Sequence, residues 1–261
     1  MITETEGIIL RQTKISGGRR MISIFTQKYG KISAGTNLNE KSRGKQALAL
    51  RPFTHGMYEF FKKGDYYNIN GADTLHSYYR LGEDVDKYMN ASYALEFTDR
   101  ITAEGQPAPA LFSLAVDLMR ELEQRNGRYQ TLIAAYEVKA LKILGVFPEL
   151  RRCAVCGQEK EPAALSVTEG GILCAEHAAG AAPAYSKTGT DTLIYQVDFG
   201  IVDILDYLCS HPLESLRKLA LDDEKAEYIR KMMMDYARYH LDFGELKSES
   251  FMTLQSKGGK D

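Results

Sequence analysis

Four side chains spaced as Cys153-x2-Cys156-x17-Cys174-x2-His177 constrain this chain more than any other feature. A two-residue gap lets both sulfurs of one tight turn face a single ion, and Gly157 gives the backbone freedom that aims amides at the thiolates. Two such knuckles facing each other supply four ligands at tetrahedral geometry, with Gly170-Gly171 letting the chain turn back between them. Thiolate and imidazole donors favour zinc over magnesium or calcium. With every position filled by protein there is no place for a reacting water, so the spacing predicts a structural zinc and not a catalytic one. The bland alternative is buried free cysteines beside an incidental histidine, and it must explain two paired motifs at ribbon-like separation. A redox dithiol fits poorly, because nothing places Cys153 and Cys156 at the start of a helix after a strand. Cys209 lies in the apolar run Val202, Ile204, Leu205, Leu208 and reads as core.

Periodicity organises the rest. The first ~75 residues carry short β-type runs: 6–11, 21–26, 31–34, 56–61 and 66–70, the last two joined across Gly64-Asp65 as a hairpin. Five short strands without a long helix among them predict a small barrel, because closing the sheet removes exposed edges. Helical spacing then takes over in three stripes, from Val85 to Ile101, from Leu111 to Leu122 and from Leu132 to Leu144, broken at 105–109 and at Asn126-Gly127. Residues 150–183 lose the period, and helical patterns resume at 188–209 and 222–242. The expected organisation is α+β and multidomain. A barrel spans 1–80, a helical domain 81–149 and 184–246 with a zinc-binding insert at 150–183, and a frayed tail 247–261.

Charge is divided unequally. Residues 1–64 hold 12 Lys+Arg against 4 Asp+Glu, and the remainder 21 against 31, so a basic module of +8 precedes an acidic body of −10. That split makes a polyanion the candidate partner of the barrel. No apolar run approaches the roughly 18 residues that span a bilayer, and the acidic start Met1–Glu6 is unlike a signal peptide. The expectation is a cytoplasmic protein with no membrane partner. Enzyme signatures are missing too: there is no Gly-rich phosphate loop, no Gly-x-Ser-x-Gly and no His-Glu-x-x-His. Asp84, Asp86, Asp222, Asp223 and Glu224 read as solvated or first-turn acids complementing helix dipoles. The reading is not an enzyme, with no catalytic residue proposed.

Several ordered stretches resemble one family. Glu6-Gly7-Ile8-Ile9-Leu10-Arg11, Phe25-Thr26 with Gly30-Lys31, Lys41-Ser42-Arg43 and Leu50-Arg51-Pro52-Phe53 are similar to the opening barrel of the RecO family of bacterial DNA repair and recombination proteins. Gly145–Leu150 leading into the Cys153 knuckle, then Gly170-Gly171-Ile172-Leu173-Cys174, and finally Leu246-Lys247-Ser248 continue the likeness in order. It implies an oligonucleotide-binding (OB) barrel, a helical domain and a zinc element. It further implies binding of single- and double-stranded DNA, annealing of complementary strands, and help in loading recombinase onto strands coated by single-strand-binding protein (SSB). The implied partners are RecR and the C-terminal tail of SSB, the recombinase being reached indirectly, in a nucleoid-associated cytoplasmic setting. The family's last metal ligand is commonly Cys where this chain has His177.

An annealing protein must neutralise phosphates without burying pairing edges, which an OB groove does with cations along the backbone and rings against base faces. Lys28, Lys31, Lys41, Arg43, Lys45, Lys62 and Lys63 are the candidate phosphate contacts, and Tyr29 and Phe61 the candidate stacking rings. Phe25, Tyr58 and Phe60 sit on apolar runs and read as barrel core. Two other functions fit parts of the pattern: an RNA-binding OB and zinc protein, and a metal-dependent nuclease with an unrecognised site.

Overall fold

Alternating apolar residues on five strands close a barrel at the start of the chain. The structure, a computed structural model, describes residues 2–15, 19–36, 45–64, 66–180, 193–219 and 221–250. β1 (Ile2–Lys14), β2 (Arg20–Thr26), β3 (Gly30–Thr36), β4 (His55–Lys63) and β5 (Tyr66–His76) pair in the order β1-β2-β3-β5-β4, and β4 returns to β1 to close the ring. Along β4 every second residue, Gly56, Tyr58 and Phe60, is buried. Those rings meet Ile22, Ile24, Ile32 and Ile69 inside, so Phe25 apart, the aromatics assigned to the core face inward as a period of two requires. A short helix, α1 (Lys45–Ala49), packs on β5. Tyr58 fixes it by donating from its hydroxyl to the Ala49 carbonyl at 2.7 Å, and burial pushes that hydroxyl far above the ordinary tyrosine range.

Two compact units divide the chain: the first ends at Tyr129 and takes the chain up again at Glu245, and the second spans Gln130–Gly244. In the first, α2 (Val85–Ile101) and α3 (Pro109–Gln124) accompany the barrel. Asp84 caps α2 through the Lys87 amide at 3.0 Å, and Pro109 opens α3, where its missing N–H costs nothing. Phe25 on β2 meets Phe112 on α3 edge to face at 5.8 Å, both rings buried. Asp99 near the end of α2 receives Arg11 at 3.3 Å, Lys31 at 3.4 Å and the Ser23 hydroxyl at 3.2 Å, which ties that helix to three barrel strands.

The returning segment belongs to the same unit. Glu96 on α2 accepts the Lys247 amide at 2.9 Å, the Ser248 amide at 2.8 Å and the Ser248 hydroxyl at 2.6 Å, and Ser248 is only 5% exposed. Residues 247–250, included in the expected frayed tail, are thus held to α2, while 251–261 lie outside the described residues. Burial pushes the Glu96 carboxyl up, but the three donors outweigh it and hold the carboxyl below its ordinary range. A depressed carboxyl contributes stability that is present above its unfolded value, near ~4.3, and lost as pH falls through the folded one. Amide exchange at Lys247 and Ser248, corrected for intrinsic rates, should therefore speed up as pH falls below about 4. Glu96→Gln should remove that pH dependence.

In the second unit, α4 (Tyr129–Ile143) is buried almost all round: Leu132, Ile133, Ala134, Ala135 and Tyr136 are consecutive and solvent-free. The single core-facing stripe expected there is a central helix instead. Three strands, β6 (Pro162–Ser166), β7 (Gly171–Cys174) and β8 (Ile194–Gln196), form a sheet in the order β7-β6-β8, with α5 (Ala175–Gly180) between β7 and β8. Of the helical pattern expected over 188–209, residues 188–192 lie outside the described residues, 194–196 form β8, and the helix is α6 (Phe199–Ser210). Asp198 caps that helix at the Ile201 amide, 2.9 Å, and so ends it upstream, and residues 194–196 pair with β6. α7 (Asp223–Leu241) follows, capped by Asp222 at the Lys225 amide, 2.7 Å, with Met232, Met233 and Met234 buried. Of the acids expected on solvated faces or in first turns, Asp86, Asp223 and Glu224 stand in first turns, and Asp84 and Asp222 are the N-caps just before them. Among the described residues no helix is long and apolar enough to cross a membrane.

Candidate metal centre and nucleic-acid groove

The metal-type cluster forms as its spacing predicts. Cys153 and Cys156 sit on a turn whose ends exchange bonds, Gly157 N–H to the Cys153 carbonyl at 2.8 Å and Cys153 N–H to the Gln158 carbonyl at 3.0 Å, with Gly157 at φ +69°. Ala154 then anchors the turn to β7 through the Ile172 carbonyl at 2.8 Å. Cys174 ends β7, and the first turn of α5 brings His177 back toward it. The ligand atoms of Cys153, Cys156, Cys174 and His177 all lie within 4.8 Å of one another. His177 Nδ1 stands 3.2 Å from Cys174 Sγ and 3.8 Å from Cys153 Sγ. Zinc–ligand bonds of 2.0–2.3 Å at the tetrahedral angle would put nitrogen and sulfur about 3.6 Å apart, so the donor set and its spacing fit such an ion. The His177 amide holds the Cys174 thiol below its ordinary range; at Cys153 burial pushes upward, and amides of Cys156, Cys174 and Val155 outweigh it. Cys153 and Cys174 are buried with Ala164 and Leu173, while Cys156 is partly exposed, so the ligands are also part of the apolar cluster on the metal side of the sheet.

The barrel carries a second feature. A groove of about 750 Å³ opens at one end of the barrel, between the β1–β2 connection (Ile15, Arg19) and the β4–β5 turn (Phe61, Tyr66). In OB barrels the strand 2–3 face between those same two loops is where oligonucleotides and oligosaccharides lie. Tyr66 is 78% exposed, Arg19 is exposed, and Arg20 is buried with its guanidinium donating to Gln12 Oε1 at 3.1 Å.

The candidate phosphate contacts divide around this groove. Lys62 and Lys63 close β4 beside it, Lys62 standing 4.9 Å over the Tyr67 ring as a cation–π pair. Lys28 and Lys31 sit at the β2–β3 turn, the far end of those strands. There Lys28 donates to the Glu4 carbonyl at 3.0 Å, and Lys31 is engaged by the Asp99 carboxylate and carbonyl. Lys45 opens α1, and Lys41 and Arg43 lie outside the described residues. Of the two candidate rings, Phe61 lines the groove, whereas Tyr29 is packed on the barrel core with its hydroxyl bonded to Thr3. The sequence reading missed Arg19, Met21, Tyr66 and Asn68. A parity signal was available for two of them: Tyr67 and Ile69 face the core, so Tyr66 and Asn68 between and before them face out.

Comparison with known proteins matches both parts of the chain to one family. Residues 1–78 match the family model described as Recombination protein O N terminal, and residues 82–250 the one described as Recombination protein O C terminal. Two curated relatives match along nearly the full length. The DNA repair protein RecO of Alkaliphilus metalliredigens is 28% identical over 243 residues, covering 93% of this chain and 95% of that relative. Its namesake from Caldanaerobacter subterraneus subsp. tengcongensis is 26% identical over 248 residues, 95% and 96% of the two chains.

Proposed function

The chain belongs to the RecO family of DNA repair and recombination proteins, and on that premise we propose that it works as a non-enzymatic mediator that binds DNA on its barrel. It would hold single- and double-stranded DNA, anneal complementary strands and help load recombinase onto SSB-coated strands. The observation that carries the DNA-binding part is the groove itself, which sets exposed Tyr66 and Phe61 beside Arg19 and Lys63 between the two OB binding loops. Rings offer a face to any base and cations track any backbone, so binding is sequence-independent. RecR and the acidic, apolar SSB tail are the protein partners this reading expects, in the cytoplasm at the nucleoid. At the Cys153, Cys156, Cys174 and His177 cluster the bound ion is proposed to be zinc, held for folding, because four protein donors complete its shell.

The test is annealing of complementary oligonucleotides, bare and precoated with SSB, the latter with and without its tail. Annealing should proceed, should need the tail on coated strands, and should leave labelled DNA intact in magnesium or manganese. Binding should weaken with salt at a log–log slope of roughly −0.7 per single-strand phosphate neutralised. Salt-insensitive binding sinks the reading; cleavage would favour a nuclease, and preference for matched RNA strands an RNA-binding role.

A further inference from the structure

One register row crosses the groove. Met21 on β2 pairs with Gly35 on β3, Gly35 with Asn68 on β5, and Asn68 with Phe61 on β4. Residues opposite one another across strands share a face of the sheet, and all four line the groove. Met21 is 37% and Phe61 39% exposed, so apolar side chains stand at both ends of a row whose middle is a glycine and an amide. Both side chains line the same groove, so a base lying in it would meet an apolar side chain at either end of the row.

Gly35 has no backbone reason to be glycine. Its φ lies outside the left-handed region, and among the described residues a Cβ there would meet Asn68 Oδ1 tightly at 3.1 Å, the movable end of a side chain, and the Tyr67 carbonyl at 3.9 Å. Glycine inside a strand weakens it, and a common reason to find one is that another group must approach the backbone closely. The free side of Gly35 is the groove.

We infer that Gly35 is the specificity-determining residue of this surface, its missing side chain leaving a trough in which an unpaired base lies between Met21 and Phe61. The Asn68 amide on the trough floor offers both a donor and an acceptor to the base's polar edge, which suits any base. Duplex DNA keeps its bases stacked on one another and cannot use the trough, so Gly35 sets the preference for base-bearing single strands over duplex and over bare backbone. This inference rests on the reading that the barrel groove binds DNA.

The experiment measures affinity of the full chain for an oligo-dT strand, an abasic strand of equal length and a duplex. The wild type should bind oligo-dT roughly 10-fold or more tighter than the abasic strand, the discrimination expected when at least one base stacks. Gly35→Val fills the trough with a residue that suits a strand, and the Asn68 amide must turn aside by a few tenths of an ångström to admit it, so its Tm should stay near the wild-type value. Its oligo-dT affinity should fall about 10-fold toward the abasic value, while abasic and duplex affinities stay put. Gly35→Ala should fall between, and it serves if the valine variant misfolds. Full discrimination retained by a folded Gly35→Val, equal loss on all three ligands, or equal wild-type affinity for oligo-dT and abasic strand would each overturn the trough. A wild type that binds none of the three overturns the barrel reading itself.

Discussion

Removing the metal from the Cys153–Cys156–Cys174–His177 centre is expected to unfold the β6-β7-β8 sheet and its flanking turns. The sheet has three short strands, and the apolar cluster on its metal side consists of Cys153, Ala164, Leu173 and Cys174. Two of those four residues are proposed ligands, so the ion and the apolar cluster are lost together. Structural zinc contributes on the order of 10–16 kcal/mol of apparent binding in small zinc domains, more than the apolar cluster on the metal side supplies by burial. Cys153→Ser removes a ligand and a side chain that is 2% exposed, and should lose metal content and solubility first. Elemental analysis reads the ion, and hydrogen exchange reads the loss of protection over 150–180. The residues of α4, buried almost all round and outside the metal-side cluster, should stay protected. His177→Cys keeps four metal donors and should keep the ion. Oligonucleotide affinity should be unchanged in any folded variant of the centre; a folded Cys153→Ser chain that specifically lost DNA binding would refute the division of roles between the two units.

The double variant Phe61→Ala, Tyr66→Ala should lower single-strand affinity about 100-fold, since each ring stacked on a base is worth roughly 1–3 kcal/mol. Tyr66 is 78% exposed, so its loss should leave Tm nearly unchanged. Lys31→Ala is the contrasting variant. It removes one of three partners of the partly buried Asp99 carboxylate, Arg11 and Ser23 remaining, so it should cost about 1 kcal/mol of stability and little affinity. Fluorescence anisotropy with labelled oligo-dT, alongside thermal unfolding, separates the two. If Lys31→Ala weakened binding as much as the ring variant at equal stability, the groove would be the wrong surface.

Much of this was legible from residue order, for reasons that are local. The knuckles could be read because a Cys-x2-Cys turn brings two sulfurs together whatever surrounds it. The barrel strands could be read because inward residues alternate with outward ones, although β1 extends over Ile2–Lys14 and not only 6–11. Its polar half, Thr3 to Glu6, is a strand because β4 lies alongside to pair with it, and apolar spacing carries no trace of a partner. The same blindness placed a helix over β8 and a tail over Ser248. A three-residue strand exists through its ladder to β6, and Ser248 is ordered by a carboxylate 152 residues away in the chain.

Which lysines and rings are available to a polyanion was a tertiary matter. Lys31 and Lys63 look alike as letters, yet one is engaged by Asp99 on α2 and the other closes β4 beside the groove. The sequence alone determined the kind of molecule: a basic β-module, an acidic helical body and a four-donor cluster whose spacing specifies its own geometry. Only the tertiary structure decided where a ligand can lie, because a groove is made by register between strands distant in sequence. Met21, Gly35, Asn68 and Phe61 become one surface only when β2, β3, β5 and β4 close around a common core.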